Sequence, residues 1–183
     1  MMAIAEPWQK AEIAGPTKAL VITKPEVVVA MMKRAKRPII VVGHHVVEEK
    51  SDEVEWIEHL IRIAKAAKAP LVATGHTVRE FIKRGFQPTA VMPAVDIVNR
   101  LQDPAWKGLD GVGQYDLALF TGLPYYIEWV LLSSLKHFAE NLKTICLDRF
   151  YQPQASWSFP NLSVKDWNGS LKTIVSKLEE GGK

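Results

Sequence analysis

RPIIVVGHHVVEE, residues Arg37 to Glu49, runs four β-branched apolar residues together and then stops at Gly43. A strand that is apolar at every position is buried on both faces, which is the condition of a parallel sheet covered by helices. After the glycine the chain turns polar, with His44 and His45 leading into Glu48 and Glu49. A parallel strand ends this way beside a ligand crevice, and a buried strand with no ligand can end this way too.

The flanks repeat the alternation. Upstream, Pro25 opens a helical stretch, EVVVAMMKRAKR, that places Val28, Met31, Met32 and Ala35 on one face until Pro38 ends it. Downstream, SDEVEWIEHLIRIAKAAKAP carries a capping pattern, Asp52 with Glu55, and an apolar stripe of Val54, Ile57, Leu60, Ile61 and Ala64. PLVATG predicts a second buried strand from Leu71 to Thr74. Helical pieces follow at Thr77–Lys83 and Val95–Gln102, with GFQPTAVMP between them as loop. YDLALFTG is a third strand, YYIEWVLLSSLKHFAE a helix, and KTICLD a fourth strand. The aromatic segment RFYQPQASWSFP then reads as loop, NLSV as a short strand, and Asp166 to Leu178 as the closing helix. Residues 1–23, with Pro7, Gly15 and Pro16, show no period and read as an N-terminal arm. Residues 24–183 read as a single α/β domain, a Rossmann-like three-layer doubly wound parallel sheet.

Composition narrows the function classes. A chain of 183 residues is long enough to bury a core without staples. Its net charge of +3 is small and scattered, which argues against nucleic acid. The densest basic cluster, Lys33, Arg34, Lys36 and Arg37, falls where a helix ends and complements its dipole. No basic start leads into an apolar leader, and no apolar run approaches the ~20 residues of a membrane span, so a soluble, cytoplasmic protein is expected. The one cysteine, Cys146, sits inside an apolar strand. Alone it makes no internal disulfide and no cysteine-rich cluster or structural zinc site, so it reads as a core filler. Redox chemistry would need an organic cofactor or a partner's metal centre.

Ligands of an open parallel sheet bind beyond the carboxyl ends of its strands. Those ends are Gly43, His44 and His45; Thr74, Gly75 and His76; Gly122 and Leu123; and Asp148 and Arg149. They are the candidate cofactor-binding residues, because glycines allow close backbone approach and helix starts offer N–H groups to a phosphate. The phosphate-loop signature is absent, and Gly111 with Gly113 precedes a strand, so it is no dinucleotide fingerprint. Neighbouring histidines on an extended segment point opposite ways, and no carboxylate spacing completes a ligand set, so no metal site is expected. Neither a G-x-S-x-G elbow nor any local nucleophile, base and orienter is present, and no catalytic residue is assigned. A hydrolase or transferase would need Thr74 to converge with His44 or His76. The six tryptophans, with Tyr125, Tyr126, Phe150 and Tyr151, suit core packing and hint at a protein interface. The arm before Thr23 and the loop from Phe150 to Phe159 are the candidate contact surfaces.

The order of helix, KRPIIVVG, acidic-to-basic helix, KAPLVATG, helical loop and YDLALFTG resembles the central domain of thiamine-diphosphate enzymes of the pyruvate oxidase and acetolactate synthase type. That domain belongs to a Rossmann-like group, the DHS-like NAD/FAD-binding type. RPIIVVGHHVVEE, APLVATGHT, YDLALFTGLPYYIEWVLLSSLKHF and LKTICLDRFYQPQASWSFPNLS more closely resemble the epsilon subunits of the archaeal acetyl-CoA decarbonylase/synthase (carbon monoxide dehydrogenase) complex. The resemblance covers nearly the whole chain. It implies a non-catalytic accessory subunit that pairs with a large nickel-iron-sulfur alpha subunit in a two-alpha two-epsilon assembly, stabilises it, and assists electron transfer to FAD. It carries no catalytic residue. It leaves open a homodimer of the isolated chain and, as the alternative function, a stand-alone flavin-binding electron-transfer module.

Overall fold

Proline geometry sets the first elements. Pro25, with φ −60° and ψ −23°, stands at the entrance of α1 (Glu26–Arg34), where a ring-fixed φ suits a helix start. Ala35 has already left the helix for an extended conformation, and β2 (Pro38–Val42) begins at the proline ring. The computed structural model describes residues 17–48 and 56–181. The remaining elements are β1 (Leu20–Val21), α2 (His45–Glu48), α3 (Trp56–Ala67), β3 (Leu71–Ala73), α4 (Val78–Lys83), β4 (Ala90–Val91), α5 (Ala94–Gln102), β5 (Leu117–Thr121), α6 (Tyr125–Phe138), β6 (Lys143–Cys146), β7 (Trp157–Ser158) and α7 (Val164–Glu180).

The strands form one seven-stranded sheet in the order β1-β7-β6-β5-β2-β3-β4, and every described pairing is parallel. Side-chain alternation splits the core between its two faces. Ile40, Val42, Leu117, Leu119 and Ile145 meet α1, α3 and α7 on one side. Ile39, Val41, Ala118, Phe120 and Cys146 meet α5 and α6 on the other. The interiors of the central strands β2, β3 and β5 are therefore apolar throughout, as the continuous runs in the sequence require, and the three-layer doubly wound expectation holds. Asp116 pins the entry of the central pair, its carboxylate accepting from the Lys36 and Arg37 backbone N–H groups at 2.8 and 2.9 Å.

Several local expectations need correction. Leu20 and Val21, inside the segment read as an arm, form an edge strand that pairs with β7; residues 1–16, including Trp8, lie outside the described residues, as does the Asp52–Glu55 capping pattern. β4 lies within the stretch read as loop. The last strand is Trp157–Ser158, within the aromatic segment. NLSV instead supplies a helix cap: Ser163 Oγ accepts from the Asp166 backbone N–H at 3.1 Å and its hydroxyl donates to the Asp166 carboxylate at 2.7 Å. The aromatic segment is also largely buried within the chain. Tyr151, Gln152, Gln154, Ala155, Ser158 and Phe159 are buried, held by bonds such as Tyr151 hydroxyl to the Ala19 carbonyl at 2.6 Å and Gln152 N–H to Ser158 Oγ at 2.9 Å. Only Phe150 among its aromatic residues is exposed.

Candidate functional site

The connection pattern reverses between β2 and β5. From β2 the chain moves outward to β3 and β4, and from β5 it moves the other way to β6 and β7. That junction is where a doubly wound sheet opens its ligand crevice. Here the two strand ends touch. The Gly43 N–H donates to the Thr121 carbonyl at 2.8 Å, and the His45 N–H donates to the Gly122 carbonyl at 2.9 Å. A Cβ on Gly43 would stand 2.2 Å from the Gly122 oxygen. Gly122 itself has φ +72°, a left-handed conformation that suits glycine, and packs against Val46. Both glycines are therefore used for chain-to-chain approach.

Asp148 closes the same junction from the side. Its Oδ1 accepts from the Thr121 hydroxyl and from the Gly122 N–H, each at 2.8 Å. The backbone N–H that could meet a phosphate at this position is thus satisfied within the protein. Past β3, the Thr74 N–H donates to the Val42 carbonyl, and the Thr74 carbonyl accepts from the Thr77 N–H and hydroxyl. Gly75 has open space around it.

The histidine expectation is overturned. Residues His45–Glu48 form a helical turn, not an extended segment, and the chain bends immediately after Gly43. The rings of His44 and His45 consequently meet edge to face, with centroids 4.6 Å apart, and His76 joins at 6.4 Å from His44. This small imidazole cluster joins the ends of β2 and β3.

A cavity of about 150 Å³ lies beyond the ends of β5 and β6. His45, Leu123, Asp148 and Arg149 from the sequence candidates line it, together with Trp56, Tyr125, Glu128, Phe150 and Trp167. Trp56 and Trp167 pack edge to face, with ring centroids 4.6 Å apart, and the Trp167 indole donates to the Leu147 carbonyl at 2.8 Å. The Arg149 guanidinium lies over the Phe150 ring, 4.0 Å from its centroid. Gly43, Thr74, Gly75 and His76 do not line the cavity.

Glu128 is the polar residue that the sequence reading missed. It stands in the first turn of α6, only 1% exposed, and its Oε1 has no hydrogen-bond partner. Burial raises its carboxyl well above the usual range, the charge of Asp148 adds to this, and hydrogen bonding from Cys146 and Gln152 offsets part of it. The buried Cys146 thiol is pushed up by the same burial and by the two carboxyl groups. A signal was present in part: Cys146 and Asp148 are two residues apart on an extended segment and so share a face. Nothing local tied Glu128, eighteen positions before Cys146, to that face.

Cavities that hold drug-sized ligands span about 300–1,000 Å³, and a flavin dinucleotide is larger than most such ligands. The strand-end cavity is about 150 Å³, and its neighbouring junction is closed by Gly43 and Gly122. This cavity alone is therefore smaller than a flavin needs. Larger open depressions of about 340, 420 and 370 Å³ lie at the opposite, amino-terminal ends of the strands, around Leu142, Pro70 and Pro38. Among the described residues no helix is long and apolar enough to cross a membrane.

Comparison with known proteins adds a second line. A family model described as CO dehydrogenase beta subunit/acetyl-CoA synthase epsilon subunit matches residues 2–175. A Methanothermobacter thermautotrophicus protein named acetyl-CoA decarbonylase/synthase complex subunit epsilon is 41% identical over 173 residues, covering 93% of this chain and 95% of that protein. A protein of the same name from Methanothrix soehngenii is 33% identical over 177 residues, 95% of this chain and 91% of its own. An Archaeoglobus fulgidus protein named subunit epsilon 1 of that complex is 40% identical over 142 residues, covering 76% and 73%.

Proposed function

Because this chain belongs to the CO dehydrogenase beta subunit/acetyl-CoA synthase epsilon subunit family, we propose that it acts as a binding and stabilising subunit for a large nickel-iron-sulfur subunit, in a two-plus-two assembly, and performs no chemistry of its own. The observation that carries this reading is the 41% identity across 93% of the chain with a protein named as a subunit of the acetyl-CoA decarbonylase/synthase complex. The geometry supports it in two ways. The switch-point crevice that such folds use for ligands is filled by the protein's own backbone. Meanwhile α6 exposes Tyr126, Val130 and Phe138, at 71%, 57% and 70%, and apolar groups of this kind on an outer helix face suit a partner subunit.

The test is anaerobic recovery of the tagged chain from extract of its source organism, with the eluate assayed for carbon monoxide-dependent dye reduction and for nickel. Co-recovery of a large nickel-iron subunit with that activity is expected. Tyr126→Glu combined with Val130→Glu, checked for an unchanged fold by circular dichroism, is expected to abolish the co-recovery. Recovery of the wild-type chain alone would overturn the reading.

A role in electron transfer to FAD is the finer alternative, and the closed junction and small cavity give it less support. A flavin site on the isolated chain would show micromolar or tighter binding, on the order of −8 kcal/mol. No heat and no fluorescence change on FAD titration is the expected result. Should the complex bind FAD while the isolated chain does not, the site lies between subunits or in the partner.

A further inference from the structure

Glu128 and Asp148 line the strand-end cavity, and the buried Cys146 beside them completes a group of three whose charges conflict. Glu128, Cys146 and Asp148 place a carboxylate oxygen, a thiol sulfur and a second carboxylate oxygen within 4.8 Å of one another. Cys146 and Glu128 are 0% and 1% exposed. Three anions cannot share so small a buried volume without protons or a cation between them.

We propose that Glu128, Cys146 and Asp148 form a binding site for one divalent, borderline-soft cation of the zinc class beside this cavity. Metal–ligand lengths of about 2.0 Å to oxygen and 2.3 Å to sulfur put tetrahedral neighbours roughly 3.3–3.5 Å apart. A set already within 4.8 Å closes on an ion by side-chain shifts of about an ångström. One thiolate with two carboxylates is a donor set suited to zinc or cobalt rather than to magnesium or calcium, which take oxygen alone.

The independent sign of a ligand is the unpartnered Oε1 of Glu128, buried and belonging to a residue that lines the cavity. Gln152, whose side chain hydrogen-bonds the Glu128 carboxyl, also has its own carbonyl oxygen buried without a partner. A buried acceptor atom without a donor, beside a thiol and a second carboxylate, fits a cation better than an anion or a neutral acceptor. Asp148 is fixed for the role: its Oδ1 is held by Thr121 and Gly122, as ligating carboxylates are held by hydrogen bonds from behind. The cavity supplies an entry path and space for a fourth donor, either water or a lining side chain such as His45. Binding releases the protons of the Cys146 thiol and the Glu128 carboxyl. This site belongs to the single chain and stands whether or not the subunit reading does.

The experiment is a titration of chelator-treated, tag-free chain with Co²⁺ under anaerobic conditions, followed by displacement with Zn²⁺. Expected are one Co²⁺ per chain, a near-ultraviolet thiolate-to-cobalt absorption, visible bands of tetrahedral intensity, and proton release on binding. Cys146→Ser should remove the near-ultraviolet band. Glu128→Gln keeps the size of the side chain and removes its charge. It should weaken Co²⁺ by more than the roughly 10–100-fold that outer-shell changes cost, and it remains informative if the serine variant does not fold. No thiolate band in the wild type would overturn the proposal. So would cobalt binding that neither substitution alters, which would assign the ion to surface imidazoles such as His44, His45 and His76 and leave the three groups as a proton-sharing cluster.

Discussion

Gly43 and Gly75 end neighbouring parallel strands, and each is followed by a histidine. In sequence the two junctions, VVGHH and VATGHT, look alike. In the fold they differ: a Cβ at Gly43 would lie 2.2 Å from a backbone oxygen, whereas one at Gly75 would meet nothing within 4 Å. The first glycine lets two loops touch and shuts the switch point; the second leaves the end of β3 open beside His44 and His76. A glycine at a strand end therefore marks a close approach only when a neighbouring strand end comes to meet it. What comes to meet Gly43 is Gly122, seventy-nine residues on.

Replacement of Gly43 by alanine should have the largest effect. The atom it would strike is a carbonyl oxygen of the main chain, which cannot swing aside as a side chain does. Relief requires β2 and β5 to separate at their ends, which breaks the bonds from Gly43 N–H to Thr121 and from His45 N–H to Gly122. The expected loss is roughly 3–5 kcal/mol, above the usual overpacking range, read as a lowered urea midpoint. A loss under about 1 kcal/mol would mean that the junction opens easily, and the contrast with Gly75 would be one of degree.

Removal of the Asp148 clasp comes next. Asp148→Ala leaves the Thr121 hydroxyl and the Gly122 N–H without their shared acceptor. Hydrogen bonds to a charged acceptor and the orphaning of buried donors together put the cost at about 2–4 kcal/mol. Asp148→Asn keeps an acceptor oxygen and should lose about half as much. Both are to be measured with a chelator present, so that no bound ion contributes to the wild-type value. A neutral Asp148→Ala beside a damaging Gly43→Ala would show that backbone packing alone holds the junction shut.

The contrast also shows where reading the sequence succeeds. Ile39 to Val42 and Leu117 to Phe120 are apolar at every position because both faces of the central strands are covered, so their placement was legible from composition alone. The short outer strands were not. β1, β4 and β7 have two residues each, too short for any period to register. The bend after Gly43 was hidden by Val46 and Val47, β-branched residues that favour strands yet here continue a helical turn. The segment Phe150–Phe159 read as a contact surface because its aromatic residues fall in an apparent loop. It is instead packed into the fold, and several of its polar groups are bonded internally, for example Tyr151 to Ala19 and Gln154 to Lys136. At the candidate site, Asp148, Arg149, Leu123 and His45 were legible as strand ends. Glu128 was not, because its place beside Cys146 depends on how α6 lies across β5 and β6.

Gly75→Ala carries the smallest expected effect and is the sharpest control. Gly75 has no left-handed φ and no neighbour within 4 Å of an added Cβ, so the folded state gains a methyl at no steric cost. The unfolded chain loses backbone freedom, which favours folding by about 0.4–1 kcal/mol at a compatible site. The urea midpoint should therefore stay level or rise slightly. A loss comparable with that of Gly43→Ala would show that the end of β3 is as tightly met as that of β2, and the distinction between the junctions would fail. If stability is kept while co-recovery of a partner subunit falls, the space around Gly75 is where another chain approaches. The open glycine would then do between two molecules what Gly43 and Gly122 do within one.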